Sequence, residues 1–484
     1  MSIDTSPPLL PHRRTKIVAT IGPASNNAPT IEAMIRKGAS VFRLNFSHGA
    51  AEEHRRTYEL IRQVSMSLQT PVAILADLCG PKIRTGVFEN GGINLAAGEK
   101  VTVTVRDVNG CEGLIPCIYK NLTSDLEAGS KILMDDGLIQ LNVLEKLSET
   151  DVSCMVVDGG YLKNSKGMNL PGVNVSSPAL TDKDRGDAEL AINLGVDFLA
   201  LSFVRHARDI QDLREIIEGC QADTRIVAKI EKPEALEDIE SILAATDGIM
   251  IARGDLGVEL LAEQVPIVQD RLCAEAKAQN KPVIVATQML ESMMQNPRPT
   301  RAEVSDVSHA VSIGTDAIML SGETAVGNHP VQAVEMMDRI ARQTEALQWQ
   351  QGAFGQKYPI KKTPPIPITD AVARATSQLS RDLRVQAIVA PSRTGTNATV
   401  MSSARPAALI LAISSNCRVV QRMNLSWGVL PRHMTDAEVD DSPELARDQV
   451  KKHGLAKEGD NILLVHGFNR DPAENHPSVT VLQV

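Results

Sequence analysis

Residues 225–231 read RIVAKIE and residues 248–256 read GIMIARGDL, each a short apolar run that ends in charged groups. Runs of this kind suit parallel strands buried on both faces, which carry near-continuous apolar sequence. Working outward, the same rhythm recurs at 16–23 (KIVATIGP), 40–47 (SVFRLNFS), 72–78 (VAILADL), 198–204 (FLALSFV), 283–290 (VIVATQML) and 317–325 (AIMLSGETA), with helical patterns between. Eight such runs are the number that closes a parallel β/α barrel. They fall in two blocks, 16–77 and 175–350, which together approach the ~250 residues typical of that architecture. The predicted fold class is α/β, a (β/α)8 TIM barrel.

Between the blocks, from about 79 to 174, period-two patterns at 100–105 (KVTVTV) and 131–143 (KILMDDGLIQLNV) predict a small β-barrel domain inserted after the third strand. An insertion there overhangs the barrel mouth like a lid. After residue 350 a proline-bearing linker at 361–369 (KKTPPIPIT) opens a third region. Its helical pattern at 369–383 (TDAVARATSQLSRDL) alternates with strand-like QAIVAPS (386–392), ALILAIS (408–414) and DNILLVHG (460–467), predicting a separate α/β domain. The expected layout is a barrel in two parts, 1–78 and 175–350, a lid at 79–174 and a C-terminal domain at 351–484.

A chain of 484 residues with 43% hydrophobic content supports several well-buried domains. Its 50 basic and 59 acidic residues give a net charge of −9, and no dense Lys/Arg block is present to track a nucleic-acid backbone. Neither nucleic acid nor a membrane surface is an expected partner. The seven cysteines are scattered without a C-x-x-C pair and read as reduced thiols. The opening MSIDTSPPLLPHRR lacks the apolar stretch of a signal peptide, and no run approaches the ~18 apolar residues of a membrane span. A cytoplasmic location is expected.

In β/α barrels the C-terminal strand ends supply the active site. The polar residues ending these runs are Arg43, Asn45 and Ser47, then Asp77, Lys229 and Glu231, Arg253 and Asp255, Thr287, and Ser321 and Glu323. Glu231 and Asp255 are hard oxygen donors on neighbouring strands, suited to Mg²⁺ or Mn²⁺ that keeps waters and binds substrate oxygens. Lys229, two residues before Glu231, shares its strand face and can stabilise negative charge on a phosphoryl group or an enolate. Taken singly, a Lys-x-Glu can equally be an ion pair filling a polar barrel layer, and G-D-L-G can equally be a tight turn. Thr300 and Glu303 have capping-box spacing and read as a helix start. His48, His206 and His309 lack metal-ligand spacing and read as solvated or satisfied histidines.

Taken in order, FRLNFSHG (42–49), GPKIRTG (80–86), SKGMNLPG (165–172), AKIEKPEAL (228–236), ARGDLGVE (252–259), ATQMLESM (286–293), PTRAEVSDV (299–307) and MLSGETA (319–325) resemble the pyruvate kinase family. The likeness spans roughly residues 14–345, while the C-terminal third resembles the family only in outline. It implies a barrel with a mobile lid and a C-terminal effector domain, a cytoplasmic homotetramer, and the final step of glycolysis. That step is Mg²⁺-dependent transfer of the phosphoryl group of phosphoenolpyruvate to ADP, giving pyruvate and ATP. Carried over by motif, Arg43 binds the phosphate, Lys229 stabilises the transferring phosphoryl and the enolate, and Glu231 and Asp255 hold the ion. Gly254, Asp255 and Thr287 line the substrate pocket. Asn45, Phe46, Ser47, His48, Arg84 and Lys166 contact ADP, and Thr287, Ser321 and Glu323 organise protonation of the enolate.

Family members that need K⁺ typically carry Thr-Lys after the strand-three Asp and Glu after G-P; here Leu78, Cys79 and Lys82 occupy those places. The chain resembles the potassium-independent branch, with the Lys82 ammonium substituting for the ion and Asn45, Ser47, Asp77 and Leu78 remaining as potential oxygen ligands. In APSRTGTNA (390–398), Ser392, Thr394, Gly395 and Thr396 precede a helical pattern and suit an effector phosphate at a helix N-terminus. An ordinary N-cap is the plainer alternative, and Arg393 and Thr394 depart from the family's T-x-S-G-x-S/T loop. The implied effector is a sugar phosphate or AMP. Two competing functions are a Mg²⁺-dependent barrel aldolase or lyase, opposed by GPKIRTG and the lid, and a catalytically silent metabolite-binding regulator, which should have lost Lys229, Glu231 or Asp255.

Overall fold

A computed structural model describes residues 9–351, 364–469 and 472–484. The first three residues of the proline-bearing linker lie outside that range. Strands β1 (Lys16–Thr20), β2 (Val41–Asn45), β3 (Ala73–Asp77), β4 (Phe198–Leu201), β5 (Arg225–Ile230), β6 (Gly248–Ala252), β7 (Val283–Ala286) and β8 (Ala317–Leu320) form a closed barrel. Every neighbouring pair is parallel, and β8 closes on β1. Val18, Leu75, Val227, Met250 and Ile284 fill the interior, while the alternating Ile17, Ile74, Ile249 and Ile251 pack outward against helices. Burial on both faces is what makes the runs continuously apolar.

Three strands stop earlier than the apolar runs. The 248–256 run turns into the helix Arg253–Glu259, the 317–325 run into Gly322–Ala325, and the 283–290 run leaves the sheet at Thr287 and Gln288, whose φ values are 70° and 53°. Leu256, Met289 and Leu290 are fully buried among the helices rather than in the sheet. Hydrophobicity reports burial, and it does not distinguish these two destinations.

The chain leaves the barrel after β3 and returns before the helix Asp182–Leu194. In place of the single small β-barrel expected, the excursion forms a two-stranded and a six-stranded sheet around a separate core that includes Val103, Ile115, Leu141 and Val152. Its exit and re-entry are tied together: the Thr181 hydroxyl and the Asp184 carboxylate form a capping box, and Asp184 Oδ1 also accepts the Gly80 amide at 3.0 Å.

The C-terminal sheet has the order β11-β10-β9-β12-β13, with β9 at Ala387–Pro391, β10 at Leu409–Ser414, β11 at Val429–His433, β12 at Asn461–His466 and β13 at Ser478–Gln483. Only β13 is antiparallel to its neighbour. The sequence patterns located β9, β10 and β12 but not β11 and β13, which are the sheet edges and are partly exposed. Leu425 from this unit joins the barrel's interior cluster. Among the described residues no helix is long and apolar enough to cross a membrane.

Candidate active site

At the C-terminal end of the barrel, four adjacent strands deliver one continuous polar chain. Asn45 of β2 is in register with Asp77 of β3, and Asp77 with Ala200 of β4, so the ends of these strands lie level. Arg43 Nε donates to Asp77 Oδ2 at 2.6 Å, and Arg43 Nη1 to Thr20 Oγ1 at 3.2 Å. The other Asp77 oxygen lies 3.3 Å from Lys229 Nζ, which donates to Ser202 Oγ at 2.8 Å and pairs with Glu231 Oε1 at 2.8 Å. Ser202 in turn donates to the Leu78 carbonyl at 2.7 Å.

These contacts set the charges. Burial alone would pull the Lys229 ammonium down, but Asp77, Glu231 and Asp255 outweigh it and hold its pKa above the ordinary lysine value. Burial pushes Asp77 up, yet Lys229 and Arg43 win and keep it below the usual carboxylate range. Glu231, 1% exposed, is pushed up by burial and further by Asp255, against Lys229 and the Phe203 amide, which donates to its Oε2 at 2.9 Å. Asp255 acts on Glu231 through its charge, and two such hard carboxylates near one another suit a divalent cation. Among the described residues no group of three or more His, Cys, Asp and Glu side chains could hold a metal.

The opposite wall comes from β6, β7 and β8. Gly254 donates its amide to Thr287 Oγ1 at 2.7 Å, and that hydroxyl donates to Ala286 O at 2.6 Å. Thr287 is β-branched with positive φ, a conformation costing about 1–3 kcal/mol that persists only where surrounding contacts enforce it. Arg253 supplies one such contact, donating to Thr287 O at 2.7 Å while its other arm pairs with Asp306 at 2.6 Å. Among the mouth residues, then, Arg253 serves the loop. Glu323 accepts the Leu290 amide at 3.0 Å and the Ser321 amide at 2.7 Å, and burial raises its pKa. A cavity of about 600 Å³ joins Gly254, Asp255, Thr287, Ser321 and Glu323 to Lys82 and to Asp136 of the inserted sheets.

At the base of the insertion, Arg84 and Lys166 are brought side by side. Arg84 Nη1 donates to Ser165 O at 3.1 Å, and the Lys166 amide to Thr85 Oγ1 at 2.9 Å, with Lys166 Nζ on Asp135 at 2.6 Å. The Phe46 ring does not face the cleft: it is 2% exposed and stacked on His54 at 4.0 Å, while its amide donates to Asp77 O and its carbonyl accepts from Lys183, each at 2.9 Å. Asn45 Oδ1 accepts the Ser47 amide at 3.2 Å, and the His48 carbonyl meets His54 Nε2 at 2.9 Å. Lys82 Nζ lies 4.0 Å from Asp255 Oδ1. Of the potential monovalent-cation ligands, the Asp77 carboxylate, the Leu78 carbonyl and Asn45 Oδ1 each already face an internal donor. Thr300 and Glu303 form the expected capping box, and His309 is paired with Asp270 at 2.9 Å.

Sequence reasoning missed Ser202, Thr20 and the Phe203 amide. Ser202 did carry a signal, as a hydroxyl ending the fourth run at the same position as the other strand-end groups. The amide carried none.

In the C-terminal unit, Gly395 has φ 83° and precedes the helix Thr396–Ser403, and the Thr394 and Thr396 hydroxyls are 2.8 Å apart. A cavity of about 630 Å³ against the barrel floor joins Thr394, Gly395 and Thr396 to Arg214, Arg225 and Arg422. Ser392 is buried, is not part of that lining, and donates its amide to Ile413 O at 2.8 Å.

The family model described as pyruvate kinase, barrel domain, matches residues 12–334, and that described as pyruvate kinase, alpha/beta domain, matches 370–480. The chain belongs to the pyruvate kinase family. It is 44% identical to the pyruvate kinase of Geobacillus stearothermophilus over 94% of this chain and 78% of that one. It is 42% identical to pyruvate kinase 2 of Synechocystis sp., over 96% and 78%. A solved pyruvate kinase from Cryptosporidium parvum superposes with a TM-score of 0.87 at 34% identity, covering 98% of both chains. Transfer of a phosphoryl group between phosphoenolpyruvate and ADP is the reaction of this family, which generally uses Mg²⁺.

Proposed function

We propose that the barrel mouth performs this glycolytic reaction with Lys229 at its centre. The observation carrying the reading is the chain Arg43–Asp77–Lys229–Glu231, with Asp255 beside it, in which every strong charge is held by a neighbour. Arg43 binds the phosphate of phosphoenolpyruvate. Lys229 faces the phosphoryl as it departs and the enolate oxygen left behind, where a fixed ammonium stabilises charge that develops during transfer. Mg²⁺ or Mn²⁺ held by Glu231 and Asp255 supplies further positive charge to the substrate oxygens when bound.

Gly254 and Thr287 shape the substrate pocket, and Thr287, Ser321 and Glu323 organise the protonation that turns the enolate into pyruvate. Asn45, the Phe46 backbone, Ser47 and His48 contact ADP from the barrel, and Arg84 and Lys166 contact it from the lid. Lid closure excludes water from the transfer. Lys82 supplies fixed positive charge beside Asp255 where K⁺ would otherwise serve. A coupled assay should show pyruvate formation from phosphoenolpyruvate and ADP that is lost without Mg²⁺ and little changed when K⁺ is replaced by tetramethylammonium. Inactivity of folded protein would overturn the whole reading; a strict K⁺ requirement would overturn only the role of Lys82.

Homotetramer formation and a cytoplasmic location complete the reading on family grounds. For the C-terminal unit we assign Thr394, Gly395 and Thr396 to an activator of the sugar-phosphate or AMP class, facing the cavity shared with the barrel floor, where Arg214 and Arg225 pair with Asp247 and Arg422 with Asp223. Such compounds should lower the half-saturating phosphoenolpyruvate concentration. Saturation curves that do not move across that panel refute the assignment.

A further inference from the structure

Three motif residues that no step of the reaction uses meet at one part-buried point. Asn169 comes from SKGMNLPG, Lys232 directly follows Glu231, and Glu259 lies four residues after Asp255. The Glu259 side chain is 1% exposed, and its Oε1 pairs with Lys232 Nζ at 2.5 Å. The same oxygen faces Asn169 Nδ2 at 3.5 Å. Asn169 belongs to the short strand Met168–Asn169, which pairs with Lys131–Met134 in the lid sheet, so it moves with the lid.

Each partner leads to one of the two carboxylates assigned to the divalent ion. Lys232 Nζ is 6.0 Å from the centre of the Phe203 ring, and Phe203, at φ 55°, turns its amide onto Glu231. Glu259 ends the helix Arg253–Glu259, whose first turn carries Asp255. The lid comes near that helix at a second place, since Asp136 and Val258 line the same cavity.

The geometry points to Glu259 as a positioning residue that couples the seat of the lid to the placement of Glu231 and Asp255. An ordinary buried ion pair would need only Lys232. Here the lid contributes a donor to the same carboxylate oxygen, so seating the lid and ordering the metal loops draw on one group. The inference rests on the metal roles proposed above.

Mn²⁺ binding to the substrate-free protein, followed by electron paramagnetic resonance, and backbone hydrogen exchange over residues 168–173 test it together. Glu259→Gln keeps the shape and removes the charge; it should weaken Mn²⁺ binding by about 10-fold, the lower end for outer-shell partners of metal ligands, and speed exchange in that segment. Asn169→Ala leaves the Lys232–Glu259 pair intact and should weaken Mn²⁺ binding in the same direction but less. Combined with Glu259→Gln it should add nothing, because both changes break one coupled unit.

Unchanged Mn²⁺ affinity in Glu259→Gln, or strictly additive effects in the double variant, would overturn the inference and leave a structural ion pair. Should Glu259→Gln fail to fold, Asn169→Ala alone decides: Mn²⁺ affinity equal to the parent overturns it. Glu231→Gln separates the two levels, since Mn²⁺ binding that survives this change removes the metal assignment itself.

Discussion

Lys229→Met is expected to lower kcat by about 10²–10³-fold, the usual cost of deleting one preorganised group that stabilises developing charge. Lys229 is the only cation of the polar chain that touches both Asp77 and Glu231, and its side chain is 12% exposed. In so dry a setting the proposed action of its field on the departing phosphoryl is little screened. The same substitution should leave Mn²⁺ binding intact or slightly tighter, because the cation now 2.8 Å from Glu231 repels the ion. Steady-state kinetics with a parallel Mn²⁺ titration check both halves; near-normal turnover would sink the electrostatic role. Titration of Lys229 should leave no mark on the pH–rate profile near neutrality. Its folded pKa is raised, so its contribution to folding is complete below the ordinary lysine pKa and disappears only as pH climbs through the raised value.

Arg405→Met should destabilise the folded protein by about 3–5 kcal/mol, the cost of leaving a buried partner charge uncompensated. Arg405 pairs with Asp316 at 2.9 Å, with side chains only 6% and 5% exposed, and also donates to Gly314 O at 2.8 Å. Asp316 accepts the amides of Val283 and Trp427, and the guanidinium lies 5.1 Å from the centre of the Trp427 ring. This cluster joins the barrel floor beside β8 to the C-terminal unit. Urea unfolding should show the loss as a lower midpoint. Replacing both charges, as Arg405→Met with Asp316→Leu, should recover most of it, because a buried pair exchanged for apolar groups is often near neutral. A loss below about 1 kcal/mol in the single variant would mean that the pair behaves like an exposed one.

Much of the proposed catalytic set was legible because it is local. Lys229 lies in β5 and Glu231 directly after its end, Asp255 is in the first turn after β6, and Thr287 directly follows β7. What stayed hidden depends on closure: Ser202 against Lys229, Arg84 beside Lys166, and Asn169, Lys232 and Glu259 around one oxygen join residues from 27 to 90 positions apart. Sequence spacing carries no information about such meetings until strand order and register are known. Phe46 is the converse case, a residue inside the FRLNFSHG motif whose ring packs into the core.

The amino-acid sequence by itself determined the eight-run β/α rhythm, the inserted β segment and the residue types of the site, because burial on two faces and strand-end polarity are written locally. Only the tertiary structure decided where β6, β7 and β8 stop, which groups hold Lys229 charged, and how the lid reaches Glu259. Those outcomes depend on desolvation and on hydrogen bonds between distant segments, which exist only once the barrel has closed.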